Sequence, residues 1–263
     1  MKFTGNIAAL LRRAEPLLVI ALLLLMWELA ARSGRFAAQD LPSVTLIARR
    51  LVAEVQSARL WIAITQSIGA WALGLAMVTA IAIPIGLLIG TSRWLYAFTQ
   101  LQLEFLRMIP SIAALPLLLF VFGVGFQLTV MLVVLTAIWP LMLQSIYGAH
   151  DVDPVTREMA RIYGLTPGQI FFRIVLPSAM PYILTGMRIS SSIALIIAIA
   201  TTLVVGGDGL GDLIGSAAQS GQTDLLFARI LVAGLLGLSV SGLLLMVERK
   251  LLFWHYSQRE VAR

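Results

Sequence analysis

Residues 157–177, REMARIYGLTPGQIFFRIVLP, hold the groups best placed to do work in water, and that work is docking rather than bond-breaking. Arg157, Glu158 and Arg161 put charge on a segment that lies between two long apolar stretches. Asp153-Pro154 just ahead reads as an N-cap followed by proline at the first helical position, where a missing N–H costs nothing. Gly164 suits the left-handed residue that closes a helix. Thr166-Pro167-Gly168-Gln169 then repeats the start signal, with Thr166 as cap and Gln169 placed to complete a capping box. The segment 151–177 therefore predicts two short helices joined by a bend at Gly164, with Pro177 ending the element where the next span begins. Glu158 and Arg161, three apart, are expected to pair on the exposed face for ~0.2–0.5 kcal/mol. Ile162, Tyr163 and Leu165 give the bend an apolar side. The competing reading is an ordinary cytoplasmic loop packed on its own bundle.

Groups for covalent chemistry do not assemble anywhere in the chain. There is no cysteine, which removes disulfides, thiol catalysis and thiolate metal sites. The two histidines, His150 and His255, lie far apart and near span ends, so no histidine metal site is expected. No G-x-S-x-G elbow and no His/Cys/carboxylate cluster supports a membrane enzyme. No G-x-x-x-x-G-K-[ST] loop exists to cradle a nucleotide. Gly206-Gly207-Asp208-Gly209-Leu210-Gly211 is glycine-rich but follows an apolar run rather than a strand, and reads as a tight outer turn.

The elements that must carry the docking segment are set by composition. The 263 residues are 59% hydrophobic and 12% charged, with a mean hydropathy of +0.93. The bilayer must be the solvent for most of such a chain. Apolar runs predict six spans, at about 16–32, 61–90, 101–122, 127–148, 179–205 and 225–247, in a single all-α transmembrane domain covering 1–263. The first resembles a signal peptide in its basic start and small residues at Ala30-Ala31, but an uncleaved span is the preferred reading because the rest of the chain is also membrane-embedded. Residues 41–58 place Leu46, Ile47, Leu51, Val52 and Val55 at helical spacing, with Arg49, Arg50 and Glu54 elsewhere on the wheel. That is a short amphipathic helix at the interface, capped by Ser43. Pro110 and Pro116 fall inside the third span, which is expected to pack within the bundle. Trp254 and Tyr256 read as interface anchors after the sixth span. With the N-terminus inside, thirteen of the 19 Lys and Arg residues are cytoplasmic and six external. The termini and the docking segment are therefore expected in the cytoplasm. The basic residues form no stripe with interleaved aromatics, so no nucleic-acid partner is expected.

The same residues resemble a known family. Glu158-x-Ala160-x3-Gly164-x9-Ile174-x-Leu176-Pro177 is similar to the EAA loop of binding-protein-dependent ABC importer permeases, with Met159 replacing the second alanine. Leu41-Pro42-Ser43, Phe105-Leu106-Arg107-x-Ile109-Pro110, Leu115-Pro116-Leu117, Phe122-Gly123-Val124-Gly125, Leu176-Pro177-x-Ala179-x-Pro181-Tyr182 and Gly209-Leu210-Gly211 resemble the sulfonate/nitrate/taurine-type subfamily. The resemblance implies the type I (MetI-like) permease fold. It also implies a bacterial inner-membrane, multi-pass subunit that pairs with a second permease, expected to be a copy of itself. Two ABC ATPase subunits would bind ATP and Mg, leaving no cofactor in this chain. An extracytoplasmic solute-binding protein would deliver the solute. Glu158, Met159, Ala160, Arg161, Gly164, Leu165, Thr166 and Pro167 would then form the coupling helix that docks on the ATPase, with Ala160 small to permit close approach. The acidic residue that relatives carry late in span five is absent, since that region reads Ala200-Thr201-Thr202-Leu203.

Span hydroxyls supply the candidate substrate path: Ser111, Ser190, Ser191, Thr201 and Thr202, although most membrane Ser and Thr serve helix packing. Glu104 and Arg107, three apart at the inner end of span three, are expected to pair at the interface, and Arg188 to snorkel toward the inner headgroups. An ion-coupled secondary transporter is the alternative. Such carriers place ionisable groups at mid-span, whereas Glu28, Glu104, Arg107, Arg188 and Arg229 all fall near predicted ends.

Overall fold

The structure is a computed structural model that describes residues 3–35, 37 and 40–251, with side chains of the first helix from residue 18 onward. The proposed anchors Trp254 and Tyr256, together with His255, lie outside the described residues. Among those described, every regular element is helical: α1 Phe3–Arg32, α2 Val44–Val55, α3 Ala58–Thr91, α4 Arg93–Met108, α5 Leu115–Phe122, α6 Phe126–His150, α7 Pro154–Ile162, α8 Pro167–Ile170, α9 Leu176–Val205, α10 Leu210–Gln219 and α11 Thr223–Leu251. Four helical stretches are long and apolar enough to cross a membrane: 58–91, 126–150, 167–205 and 223–251. A bent pair, Arg93–Met108 and Ser111–Phe122, makes a fifth if counted as one span. The chain divides into two compact units, residues 1–61 with 213–232, and residues 62–212 with 233–263.

In the first unit, Ser43 caps α2 by accepting the Leu46 N–H at 3.3 Å, as its spacing predicts. Glu28 joins α1 to α2 by accepting from the Thr45 backbone N–H at 3.2 Å and from its hydroxyl at 2.9 Å. Trp27 donates to the Pro42 carbonyl at 3.0 Å and meets Phe227 edge-on at 5.3 Å. The charges of α2 do more than face headgroups. Arg50 pairs with Asp224 at 2.6 Å, and Glu54 pairs with Arg229 at 3.2 Å. Arg229 is 8% exposed and also donates to the Leu213 carbonyl and the Ser216 hydroxyl. Removing one member of a buried, hydrogen-bonded pair strands the other, at a cost of about 3 kcal/mol. Arg229→Ala is therefore expected to lower the melting midpoint of the detergent-purified protein by several degrees, and Glu54→Gln by less, since an amide still accepts from the guanidinium.

In the second unit, α6 and α9 form the spine. Ala137, Leu141, Ile146 and Ala149 of α6 and Ala179, Ala194 and Ala198 of α9 lie in one buried cluster with Val78 and Ala82 of α3. Small residues let backbones approach where lipid gives no hydrophobic drive. A Cβ on Gly148 would sit 2.8 Å from the Tyr182 Cβ and 3.0 Å from the Ala179 Cα. One on Gly186 would sit 2.8 Å from the Gln144 Cβ.

The third span expected at 101–122 is not one helix. Its two parts meet at 74°. Pro110 disfavours helical backbone at the residue before it, and Ile109 is extended with ψ 119°. A short 3-10 turn, Ser111–Ala114, then leads into α5, whose first turn takes Pro116. The glycine-rich turn expected at 206–211 spans 206–209 and passes at Leu210 into a helix, α10, that runs to Gln219. Its start is held by the Leu210 N–H donating to the Ser67 hydroxyl at 2.9 Å.

Candidate functional site: the capped elbow

The docking segment forms as its caps dictate. The Asp153 carboxylate accepts the Val155 N–H at 3.0 Å and the Thr156 hydroxyl at 3.0 Å. Those bonds hold its pKa below the ordinary carboxylate range, the Val155 N–H most of all. A depressed pKa means the cap stabilises the elbow at neutral pH and is lost as acidification protonates it. Helix α7 ends in a Schellman motif: Leu165 N–H bonds the Ala160 carbonyl at 3.0 Å and Gly164 N–H the Arg161 carbonyl at 2.9 Å. Gly164 sits at φ 78°, in the left-handed region. The Thr166–Gln169 capping box is complete, with both reciprocal bonds formed.

Helix α8 does not stop at Pro177. A π-helical turn, Phe171–Val175, links it to α9, and the apolar helix runs unbroken from Pro167 to Val205. The Leu176 N–H reaches back five residues to the Phe171 carbonyl. Pro177 follows in the first turn of α9, where the wider winding accommodates its missing donor. The elbow is thus a direct extension of a spine helix. It is also tied to α6: Arg157 donates to the Ala149 carbonyl, and the Tyr182 hydroxyl of α9 donates to Asp151 at 2.9 Å. His150 stacks on Tyr96 with ring centroids 4.1 Å apart.

The coupling residues do not share one face. Glu158, Met159, Arg161, Gly164, Thr166 and Pro167 are exposed, Leu165 is half-buried, and Ala160 is 6% exposed. Ala160 belongs to the core of its own chain, so its small size serves contact with the bundle. Glu158 and Arg161 form no ion pair, although both border a recess with Arg93, His150 and Arg157. The outward surface is apolar. Val155, Met159 and Ile162 stand at helical spacing and are 58%, 57% and 80% exposed, with Tyr163 beside them at 83%. Spacing of i, i+4 and i+7 carried this stripe in the sequence, but Val155 was not singled out.

The path candidates fall in separate places. Ser190 is fully buried and its hydroxyl has no partner among the described residues. Ser191 accepts the Trp71 indole N–H at 3.0 Å. Thr201 donates to the Ile197 carbonyl at 2.7 Å. Thr202 donates to the Ile199 carbonyl at 3.1 Å and borders a cavity of about 40 Å³ with Ser67, Thr129 and Asp208. Those four are enclosed by packing within one chain, whereas Ser111 faces an open cavity at the α4 break. Glu104 and Arg107 form no pair, and Arg107 borders that same open cavity. Arg188 pairs with Glu248 at 3.4 Å rather than reaching freely for headgroups.

Among the described residues, helices long and apolar enough to cross a membrane, with a capped polar elbow continuous with one of them, define a multi-pass membrane protein. Residues 82–253 match the family of binding-protein-dependent transport system inner membrane components, and the chain belongs to that family. It is 30% identical over 92% of its length to a putative aliphatic sulfonates transport permease of Bacillus subtilis, covering 88% of that protein. It is 28% identical over 89% of its length to a nitrate import permease of Synechocystis, covering 87% of it, and 27% identical over 90% to the taurine transport permease of Escherichia coli, covering 88% of it. A bacterial ABC transporter involved in importing the acidic polysaccharide alginate matches at a TM-score of 0.61, with 15% identity, over 93% of this chain and 99% of that one. An inward-facing methionine ABC transporter matches at 0.58, with 18% identity, over 80% and 97%. These structures share the fold. The chain is the permease component of an ABC importer, a transport subunit rather than an enzyme, and the ion-coupled alternative falls with that assignment.

Proposed function

We propose that this permease imports a small anion, and that the elbow 151–177 is where a cytoplasmic ATPase grips it. In this reading α1, α3, the bent α4–α5 pair, α6, α9 and α11 are six spans of one domain, with both termini in the cytoplasm. Two copies of the chain line the path, two ATPase subunits supply ATP and Mg, and a solute-binding protein delivers cargo from outside. The positive-inside bias supports the orientation, with twelve inner Lys and Arg residues once Arg107 is set aside. The relatives named for nitrate, sulfonates and taurine support a cargo that carries an anionic oxygen group.

The observation that carries the coupling role is the uncovered stripe Val155, Met159, Ile162 and Tyr163 on a helix capped at both ends. Such a stripe on a short water-facing helix is a docking face. Glu158 and Arg161 flank it, Gly164, Leu165, Thr166 and Pro167 set its bend, and Ala160 seats it on the bundle. Closure of the ATPases moves the docked elbows, and α6 and α9 move with them to open the path outward. Ser111, Ser190, Ser191, Thr201 and Thr202 remain the proposed hydroxyls of the path. The test is assembly. Met159→Asp combined with Ile162→Asp is expected to reduce ATPase co-purification by about tenfold or more, since two buried anchors are each worth above 1 kcal/mol. Unchanged co-purification of the double variant would remove the elbow from the interface.

A further inference from the structure

Arg107 stands at the break after α4 and faces an open cavity of about 470 Å³ together with Ser111, Thr136, Trp139, Leu143 and Ile193. The spine helices fix the depth of this cavity. At 1.5 Å per residue, its α6 lining runs from about 15 Å (Thr136) to about 26 Å (Leu143) along that helix and Ile193 lies about 26 Å along α9, so it opens within roughly the middle third of both. A guanidinium at mid-membrane is costly, and it persists where it faces a path or a partner. Among the described residues Arg107 has no ion-pair partner, Glu104 one turn earlier does not reach it, and no carboxylate lines the cavity.

The remaining polar groups are donors. Ser111 and Trp139 both line the cavity, and neither side chain makes a hydrogen bond among the described residues. The Thr136 hydroxyl gives its proton to the Leu132 carbonyl at 2.8 Å and offers only lone pairs. A cation would meet a like charge here, and a neutral solute would leave the guanidinium unpaired. A small oxyanion matches it, because its planar or tetrahedral oxygens accept from the guanidinium fork and from two further donors.

We propose that Arg107, with Ser111 and Trp139, is an oxyanion-binding site at mid-membrane on the import path, selecting solutes that carry a nitrate-, carboxylate- or sulfonate-type group. The site rests on the importer reading above and deepens it.

The test uses the permease–ATPase complex in proteoliposomes with its solute-binding protein, and labelled nitrate, bicarbonate, taurine and ethanesulfonate. The wild type is expected to take up at least one of these with ATP. Arg107→Gln is expected to lower that uptake by about tenfold or more at equal amounts of assembled complex, as loss of a charged hydrogen-bonding partner does. Arg107→Lys, which keeps the charge, is expected to recover uptake to within about threefold of wild type with a raised KM. Ser111→Ala, which removes only one hydroxyl, is expected to raise KM by about threefold to tenfold. Uptake by Arg107→Gln within twofold of wild type overturns the site. So does Arg107→Lys no better than Arg107→Gln, Ser111→Ala with an unchanged KM, or a wild-type complex that carries none of the four anions. Failure of the importer reading looks different: no ATPase bound to the wild-type chain, and no hydrolysis stimulated by the binding protein.

Discussion

Gly164→Val abolishes coupling in the expected experiment: ATP-driven uptake falls by about tenfold or more, and hydrolysis is no longer stimulated by loaded binding protein, while insertion and yield stay near wild type. The reason is conformational. No atom lies within 4 Å of a Cβ placed on Gly164, so the side chain has room. The backbone at φ 78° does not tolerate it, because a left-handed Cβ costs roughly 1–2 kcal/mol, and a β-branched one more. A factor of ten in rate needs only about 1.4 kcal/mol. The Schellman bonds from Gly164 and Leu165 then break, and the apolar stripe of α7 loses its fixed angle to α8. Gly164→Asn, which visits the left-handed region readily, is expected to keep most of the activity. Wild-type coupling in Gly164→Val would mean that the bend transmits nothing.

Gly148→Ala is expected to give a clear loss of stability from a single added methyl group. Its Cβ would meet the Tyr182 Cβ at 2.8 Å and the Ala179 backbone at 3.0 Å, and both belong to the facing helix. Since neither neighbour can swing aside, α6 and α9 must separate. Overpacking of this kind costs about 2 kcal/mol, which for a chain of this size lowers the melting midpoint by about 4–8 °C. Gly148→Leu is expected to give no folded protein. Gly242→Ala serves as the contrast, since nothing lies within 4 Å of its Cβ and alanine is the better helix former. Thermal melts of detergent-purified Gly148→Ala and Gly242→Ala separate these outcomes, and a Gly148→Ala midpoint equal to wild type would contradict the close packing of the spine.

What could be read from residue order was whatever is specified locally. Asp153, Gly164, Thr166 and Gln169 fix caps and a bend through neighbours at most five residues away, and each forms as its type dictates. The long spans were legible for the same reason, since hydropathy needs no knowledge of partners. The failures needed tertiary information. Averaged hydropathy draws one span across Pro110, whereas the chain breaks there and Arg107 lines a cavity with Thr136, Trp139 and Ile193. The glycines of 206–211 read as turn and hid α10, whose first N–H is held by a serine in another helix. Ala160 looked available to a partner because spacing within a motif does not say which side faces home. Charges gave the least: Glu158 and Glu104 have their expected partners at the right spacing and bond to neither, while Glu54 and Arg188 find partners far along the chain.

The turn Phe171–Val175 holds one residue more than ordinary α winding needs. Ile170 and Val175, five apart, would diverge by about 140° on a regular α-helix, yet both are buried, at 9% and 3% exposure. The surplus residue therefore acts as a phase shifter. It sets the compass bearing of everything upstream, so that the greasy flank of the elbow looks away from the bundle. Trim that residue and the same side chains, unchanged in kind, would be swung by roughly a quarter turn. In this permease the direction that flank faces is written in residue count, and composition alone would never reveal the error.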